Sequence, residues 1–366
     1  MKKVIHVLTD RNIGGAGRWL LSMLRCADRE NYETKVLLPG DSLLAPKVAA
    51  LGFDLLEVPG MAEKSWDKAS LEAMTELFKR EKPDIVHVGA SLTARIAARR
   101  AKVPVLVVTK HCAAQGGSFP GRMARKAVDG FLSDAVIAVS DEVGRELAAS
   151  GTPKGKIHVI YNGITPIAQD EAARESLREA YGLRAGKALV GIAARLEIVK
   201  GVDQFIDAAK RVIAARDDVD FVIFGLGSQE EMLRAQAADC KERIRFLGFC
   251  EQIEQALSLL DVCVVASRSE AFCLSAAEAL SMHVPVAAFD VDGVGEVVRH
   301  EQTGLLVPAG DTEAMAAAIV RLLDDEALRA QLGAAGKKLV EQEFTASAMV
   351  RKTNELYEAL GAGKGE

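Results

Sequence analysis

Apolar residues fall in short continuous runs, each separated from the next by a stretch with three- and four-residue apolar spacing. Continuous Val, Ile and Leu runs suit parallel strands that helices cover on both faces; half-exposed strands alternate instead. The runs predict strands at Val4–Leu8, Lys35–Leu38, Leu55–Val58, Ile85–Val88, Val105–Thr109, Ala135–Val139 and His158–Tyr161. A second series is predicted at Leu189–Ala193, Phe221–Phe224, Ile244–Leu247, Val262–Ala266, Val284–Ala288 and Gly304–Val307. Helical spacing marks the segments between them, as in Asp67–Lys82 and Val202–Ala215. This alternation argues for the α/β class with parallel sheets.

The strand pattern stops at Asn162-Gly163-Ile164-Thr165-Pro166, and a charged, helix-prone stretch, Asp170–Tyr181, follows before the new series. A chain of 366 residues suggests two domains at about 100–200 residues each. The expected division is a doubly wound domain over 1–165, a linker over 166–184 and a second doubly wound domain over 185–340. Residues 341–366 hold a last helix with its own start after Glu343-Phe344-Thr345. It can pack on either domain, a crossing back to the first included. Two such domains facing each other make a cleft. Ligands of doubly wound sheets sit outside the carboxyl ends of the strands, so the chemistry belongs in loops that follow strands.

Composition narrows the class. A hydrophobic fraction of 49% and a charged fraction of 27% match an ordinary globular chain and exclude disordered, collagenous and disulfide-scaffold readings. No apolar run approaches the roughly 18 residues that span a bilayer. The start, Met1 to Asp10, reads as a first strand rather than a signal peptide, and a cytoplasmic location is expected. The six cysteines include no Cys-x-x-Cys pair, so they read as reduced, mostly buried thiols. Charge is uneven: residues 1–170 hold 24 Lys and Arg against 19 Asp and Glu, and the rest 22 against 32. No acidic residue occurs between Asp84 and Asp129. Within that window Arg122, Arg125 and Lys126 share one helical face by three- and four-residue spacing, near Phe119 and Met123. Such a patch suits an acceptor lipid phosphate or an anionic membrane surface, or is simply a solvated face. A pI of about 5.8 and only four tyrosines and two tryptophans argue against nucleic acid.

Four post-strand loops carry candidate chemistry. Gly14-Gly15 opens a helix after the first strand, where backbone N–H groups can approach a phosphate; a tight strand–helix turn is the alternative. Arg195 and Lys200 sit five residues apart before Gly201, and both can reach one diphosphate. Gly225-Leu226-Gly227 is a second strand–turn–helix junction, without the acidic residue that a nicotinamide-binding fingerprint places about 20 residues on. The fourth runs from Ser267 to Leu280. Glu270 follows a strand and Glu278 lies inside the next helix, so two carboxylates at different depths can accept hydrogen bonds from two sets of hydroxyls, as in a nucleotide-sugar.

Glu270 and Glu278, with seven residues between them, resemble the paired-glutamate motif of retaining family 4 glycosyltransferases of the GT-B fold. The resemblance extends to Gly14-Gly15, His111, Asn162-Gly163-Ile164, Arg195 with Lys200-Gly201, Gly225-Leu226-Gly227, Gly248-Phe249 and Gly304-Leu305-Leu306-Val307-Pro308. It implies two Rossmann-like domains facing a cleft, the first for the acceptor and the second for a nucleotide-sugar donor, with UDP as the expected carrier. Arg195 and Lys200 would neutralise the departing diphosphate. Glu270 would hold the donor sugar, Glu278 the ribose, and His111 would lie near the transferred sugar. Gly14, Gly15, Gly225, Phe272, Cys273 and Leu274 would complete the donor site, with backbone N–H groups of Asp292–Glu296. The acceptor would be a glycan or a lipid-linked molecule.

Two literal Asp-x-Asp patterns, Asp218–Asp220 and Asp290–Asp292, match a metal–diphosphate motif of another transferase fold. With Arg195 and Lys200 available a metal is unnecessary, so no metal and no cofactor are expected. Asp292 beside a diphosphate would repel it unless it turns away or meets the acceptor. A nucleotide-sugar epimerase of the same fold, or a nucleotide-sugar-binding protein without turnover, remain as alternatives.

Overall fold

The structure is a computed structural model, described for residues 1–58, 61, 66–112, 118–166, 171–184, 186–250 and 253–362. Two compact units form, Met1–Thr165 with Thr345–Glu366, and Pro166–Phe344. The first holds strands β1 (Lys2–Val7), β2 (Tyr32–Leu38), β3 (Asp54–Glu57), β4 (Ile85–Val88), β5 (Val105–Lys110), β6 (Ala135–Ala138) and β7 (Ile157–Val159). They make one parallel sheet in the order β3-β2-β1-β4-β5-β6-β7. The second holds β8 (Ala188–Ala193), β9 (Val219–Phe224), β10 (Ile244–Gly248), β11 (Val262–Val265), β12 (Val286–Phe289) and β13 (Gly304–Val307). These are parallel in the order β10-β9-β8-β11-β12-β13. Each apolar run of the sequence carries one of these strands.

The continuous runs have a direct cause. Val4 and Leu8 point into one core cluster, while Ile5 and Val7 point into the cluster on the opposite face. With both faces covered, no position of β1 past its first two needs a polar side chain. The helix Lys68–Glu81 starts where Asp67 accepts from the N–H groups of Ala69 and Ser70, and stops at Lys82 in the left-handed conformation.

Residues 166–184, read from the sequence as a linker, fall in the second unit and include the helix Glu171–Ala180. The expected helix start, Asp170, and the expected domain start, residue 185, lie outside the described residues. The last helix, Ala346–Ala362, belongs to the first unit, where Met349, Val350, Leu356 and Tyr357 join the core. Ile164 pairs with Thr345, and the Ala346 N–H donates to the Ile164 carbonyl at 2.8 Å. A side chain at Gly163 would meet the Thr345 carbonyl at 2.3 Å, so only glycine fits this crossing.

A row of aromatic and imidazole rings threads the first unit. His6 and His87 are register partners in β1 and β4, with ring centroids 5.1 Å apart. The His87 ring bridges Thr109 Oγ1 at 2.6 Å and the Tyr357 hydroxyl at 2.5 Å. Burial pushes His6 down to about 4 and His87 well below its ordinary value, so both stay neutral. The unfolded chain protonates its histidines near pH 6.5, the folded one only near pH 4 for His6. Stability is therefore complete above pH 6.5 and falls as the pH drops towards 4. Tyr357→Phe leaves a buried ring nitrogen without its partner, a loss of about 1–3 kcal/mol. Both tryptophans, Trp19 and Trp66, lie in this unit, so urea unfolding followed by their emission at pH 7 and pH 5 reads it. A lower midpoint at pH 5 and in Tyr357→Phe is expected; equal midpoints contradict the account.

Candidate active site

In the second sheet the strand order reverses where β8 meets β11. Chains leaving these two strands diverge to opposite faces, which is where doubly wound sheets open a binding crevice. The two loops that flank this point carry the cation and the carboxylate singled out in the sequence. Lys200 Nζ donates to Glu270 Oε1 at 2.5 Å, and Ser267 Oγ donates to the same oxygen at 2.8 Å. Both charged side chains are mostly buried. Pairing and hydrogen bonding offset the cost of removing them from water.

Glycines bring the backbones this close. The β8 loop forms a single turn over Ile198–Lys200 that ends at Gly201, with φ of +62°. A Cβ at Gly201 would lie 1.8 Å from the Ala266 carbonyl oxygen. Gly225, with φ of +139°, presses on the Ala194 carbonyl, where a Cβ would come within 1.9 Å. Gly227 does the same on Leu196. Backbone packing of the β9 turn against the Arg195 loop therefore accounts for Gly225. Glu197 ties the two loops further, accepting from the Ser228 N–H at 3.0 Å and its hydroxyl at 2.7 Å.

The Glu270 peptide is held on both sides. Its N–H donates to Asp292 Oδ2 at 3.1 Å, and its carbonyl accepts from the Gly293 N–H at 2.9 Å. Asp292 thus faces a peptide N–H of the Glu270 loop. In the other Asp-x-Asp pattern, Asp218 pairs with Arg216 and Asp220 with Arg184. Among the described residues no group of three or more His, Cys, Asp or Glu is placed to hold a metal ion.

Other residues named from the sequence separate by environment. Arg195 is exposed in the same loop as Lys200. Glu278 is buried in the helix Leu274–Ser281. Cys273 caps that helix, and burial, with the Glu270 charge beside it, pushes its thiol up to about 11. Leu274 opens the helix, half-buried. Phe272 turns its ring against Phe344, centroids 5.3 Å apart, which makes the side chain a core contact. Ser267, named in the sequence only as the start of this loop, was given no role there; its position three residues before Glu270 was the signal.

In the first unit, Gly14 caps the helix Gly15–Arg25, and the space around both glycines is open. His111 follows β5 and stacks edge-on with Trp19 at 5.0 Å. Neither His111 nitrogen has a hydrogen-bond partner among the described residues, and burial pushes its pKa down to about 4. It is a neutral imidazole with both edges unused, able to accept or donate one hydrogen bond to a sugar hydroxyl. Trp19, four residues past Gly15 on the buried face of its helix, was not singled out in the sequence. On the helix Phe119–Phe131, Arg122 and Lys126 are exposed, but Arg125 is half-buried and donates to Ser150 Oγ at 2.8 Å. The expected single face of three cations is therefore two cations and one internal brace.

The chain is similar to known proteins. The family model for glycosyltransferase family 4 matches residues 13–166, and that for glycosyl transferases group 1 matches residues 173–339. A glycogen synthase of Mycobacterium tuberculosis is 32% identical over 304 residues, 78% of this chain and 70% of that protein. The chain belongs to the group 1 glycosyltransferases. The N-acetyl-alpha-D-glucosaminyl L-malate synthase of Bacillus anthracis is 26% identical over 305 residues, 80% of this chain and 79% of its own. The structure of Anabaena Alr3699/HepE in complex with UDP and glucose matches this glycosyltransferase with a TM-score of 0.86 at 20% identity, covering 98% of this chain and 100% of that one. That likeness gives the GT-B architecture, two Rossmann-like parallel sheets.

Asp292 gives a direct test of the geometry. Asp292→Ala removes the acceptor that holds the Glu270 N–H and should lower turnover about tenfold, while Asp292→Asn keeps an oxygen there and stays within about twofold. If the Asp292 charge instead faced the diphosphate, both variants would bind UDP more tightly in calorimetry.

Proposed function

We propose that this glycosyltransferase moves a sugar from a UDP-linked donor to a glycan or lipid-linked acceptor, with retention at the anomeric carbon and without a required metal. The observation that carries the reading is the Lys200–Glu270 pair at the switch point of the second sheet, on the loop that also carries Arg195. Breaking the bond between sugar and diphosphate builds negative charge on the leaving oxygen and positive charge on the sugar ring. Fixed cations aimed at the leaving group are the strongest lever on such a step. Arg195 and Lys200 supply that charge, Glu270 accepts from sugar hydroxyls and steadies the developing cation, and Glu278 accepts from the ribose. The acceptor oxygen bonds to the anomeric carbon while the carbon–oxygen bond to the diphosphate breaks. The electron pair stays on the phosphate oxygen, which takes the acceptor's proton. His111 fits a contact to the transferred sugar.

On the acceptor side, the helix Phe119–Phe131 exposes an apolar stripe: Phe119 at 76%, Met123 at 51% and Phe131 at 81%. Arg122 and Lys126 flank it. Among the described residues no helix is long and apolar enough to cross a membrane. Exposed aromatics beside cations favour the interface of an anionic lipid surface, where a lipid-linked acceptor would be held. Sedimentation with vesicles of anionic lipid at low salt, falling in Phe119→Ser with Phe131→Ser, supports this reading; equal recovery with neutral vesicles contradicts it.

A panel of UDP- and GDP-sugars in a thermal melt tests the donor, because a ligand that binds the folded state raises its midpoint. UDP-sugars should raise it most. Glu270→Ala should still respond to the best donor yet lose roughly 100-fold in turnover. Unchanged turnover removes the role given to Glu270, and an epimerised sugar formed without acceptor favours the epimerase.

A further inference from the structure

The turn that carries Lys200 has no apolar anchor of its own. Ile198 and Val199 are exposed, at 65% and 39%. What holds the turn is a side chain from the opposite loop. Arg268, two residues before Glu270, donates through Nη1 to the Ile198 carbonyl at 2.6 Å. The same nitrogen reaches Asp203 Oδ1 at 2.8 Å, and Nη2 reaches Asp203 Oδ2 at 2.6 Å. With its amide oxygen turned to the guanidinium, Gln204 accepts from Nε at 3.1 Å and from Nη2 at 2.9 Å. The Arg268 backbone N–H donates to the Val199 carbonyl at 2.8 Å. All five guanidinium donors are thus used within the protein. Asp203 and Gln204 lie in the first turn of the helix Val202–Ala215, directly after Gly201.

We propose that Arg268 is a positioning residue: it clamps the Lys200 turn to the Glu270 loop and so fixes the distance between the two charged groups. A cation two residues from Glu270 looks like a third phosphate ligand in the sequence. The geometry assigns it the other role, since a guanidinium with every donor engaged has none left for a phosphate. Lysine cannot replace it, because one ammonium cannot bridge a carbonyl, a carboxylate and an amide in a planar fork. Losing the clamp lets Lys200 wander from its position, and misplacement of about 1 Å costs up to 100-fold in rate.

Two readouts test this, the first independent of activity. Acetylation of lysines with a limiting reagent, read by mass spectrometry, compares Lys200 with the exposed Lys241 as internal reference. In Arg268→Lys and in Asp203→Asn, Lys200 labelling should rise about threefold or more, because the turn opens more often. Unchanged labelling overturns the clamp. The second readout rests on the transferase reading. With the best donor of the panel, Arg268→Lys should lose tenfold or more in kcat, about the cost of a misplaced catalytic group, while UDP affinity in calorimetry stays within about threefold. Arg268→Lys combined with Asp203→Asn should be no worse than the worse single variant, since both break one unit. A direct phosphate ligand behaves otherwise: UDP affinity falls steeply in Arg268→Gln and recovers in Arg268→Lys, and that result overturns the proposal. If the unaltered protein binds no UDP, the UDP-donor reading fails, and the labelling still judges the clamp.

Discussion

The close approach of two loops at the β8–β11 boundary is the constraint on which the functional half of this structure depends. Parallel order reversal forces the chains apart at that point and leaves their loops as neighbours. Gly201 then removes the side chain that would keep the backbones separate. Lys200 and Glu270, seventy residues apart in the chain, come into hydrogen-bond contact as a result. The Asp292–Gly293 turn seals the arrangement from the third strand, β12. Every contact that places Glu270 is thus either backbone or charge-assisted, the kinds that keep geometry rather than fill space.

Lys200 and Glu270 neutralise each other as an ion pair between the two loops. On the function proposed, a diphosphate would take the ammonium and a sugar the carboxylate, so that a nucleotide-sugar would replace one ion pair by two sets of charge-assisted bonds and leave no buried charge alone. In the first unit burial keeps His6, His87 and His111 uncharged.

Much of this was legible in the residues because covered parallel strands leave an unmistakable apolar signature. The α/β class and the thirteen strands among the described residues follow from it. Resemblance supplied the pairing of Glu270 with Glu278. Contacts between distant loops were not legible. Nothing in Asp292 announced that it would cap the Glu270 peptide, and nothing in Arg125 announced Ser150. Spacing rules describe one helix or one strand at a time, and they assigned Arg125 a solvent face that the packing of a neighbouring segment removed. Gly225 read as a ligand contact for the same reason, although the Ala194 carbonyl lies where its side chain would be.

The central claim is that Lys200 serves a donor diphosphate and is held for it by Glu270. Calorimetric titration of UDP into the unaltered protein, Lys200→Ala and Glu270→Gln tests it most directly. Lys200→Ala should weaken UDP binding tenfold or more, about the worth of one charge-assisted contact. Glu270→Gln, which releases the ammonium, should bind UDP at least as tightly as the unaltered protein. Wild-type affinity in Lys200→Ala, or an equal loss in both variants, would contradict the account.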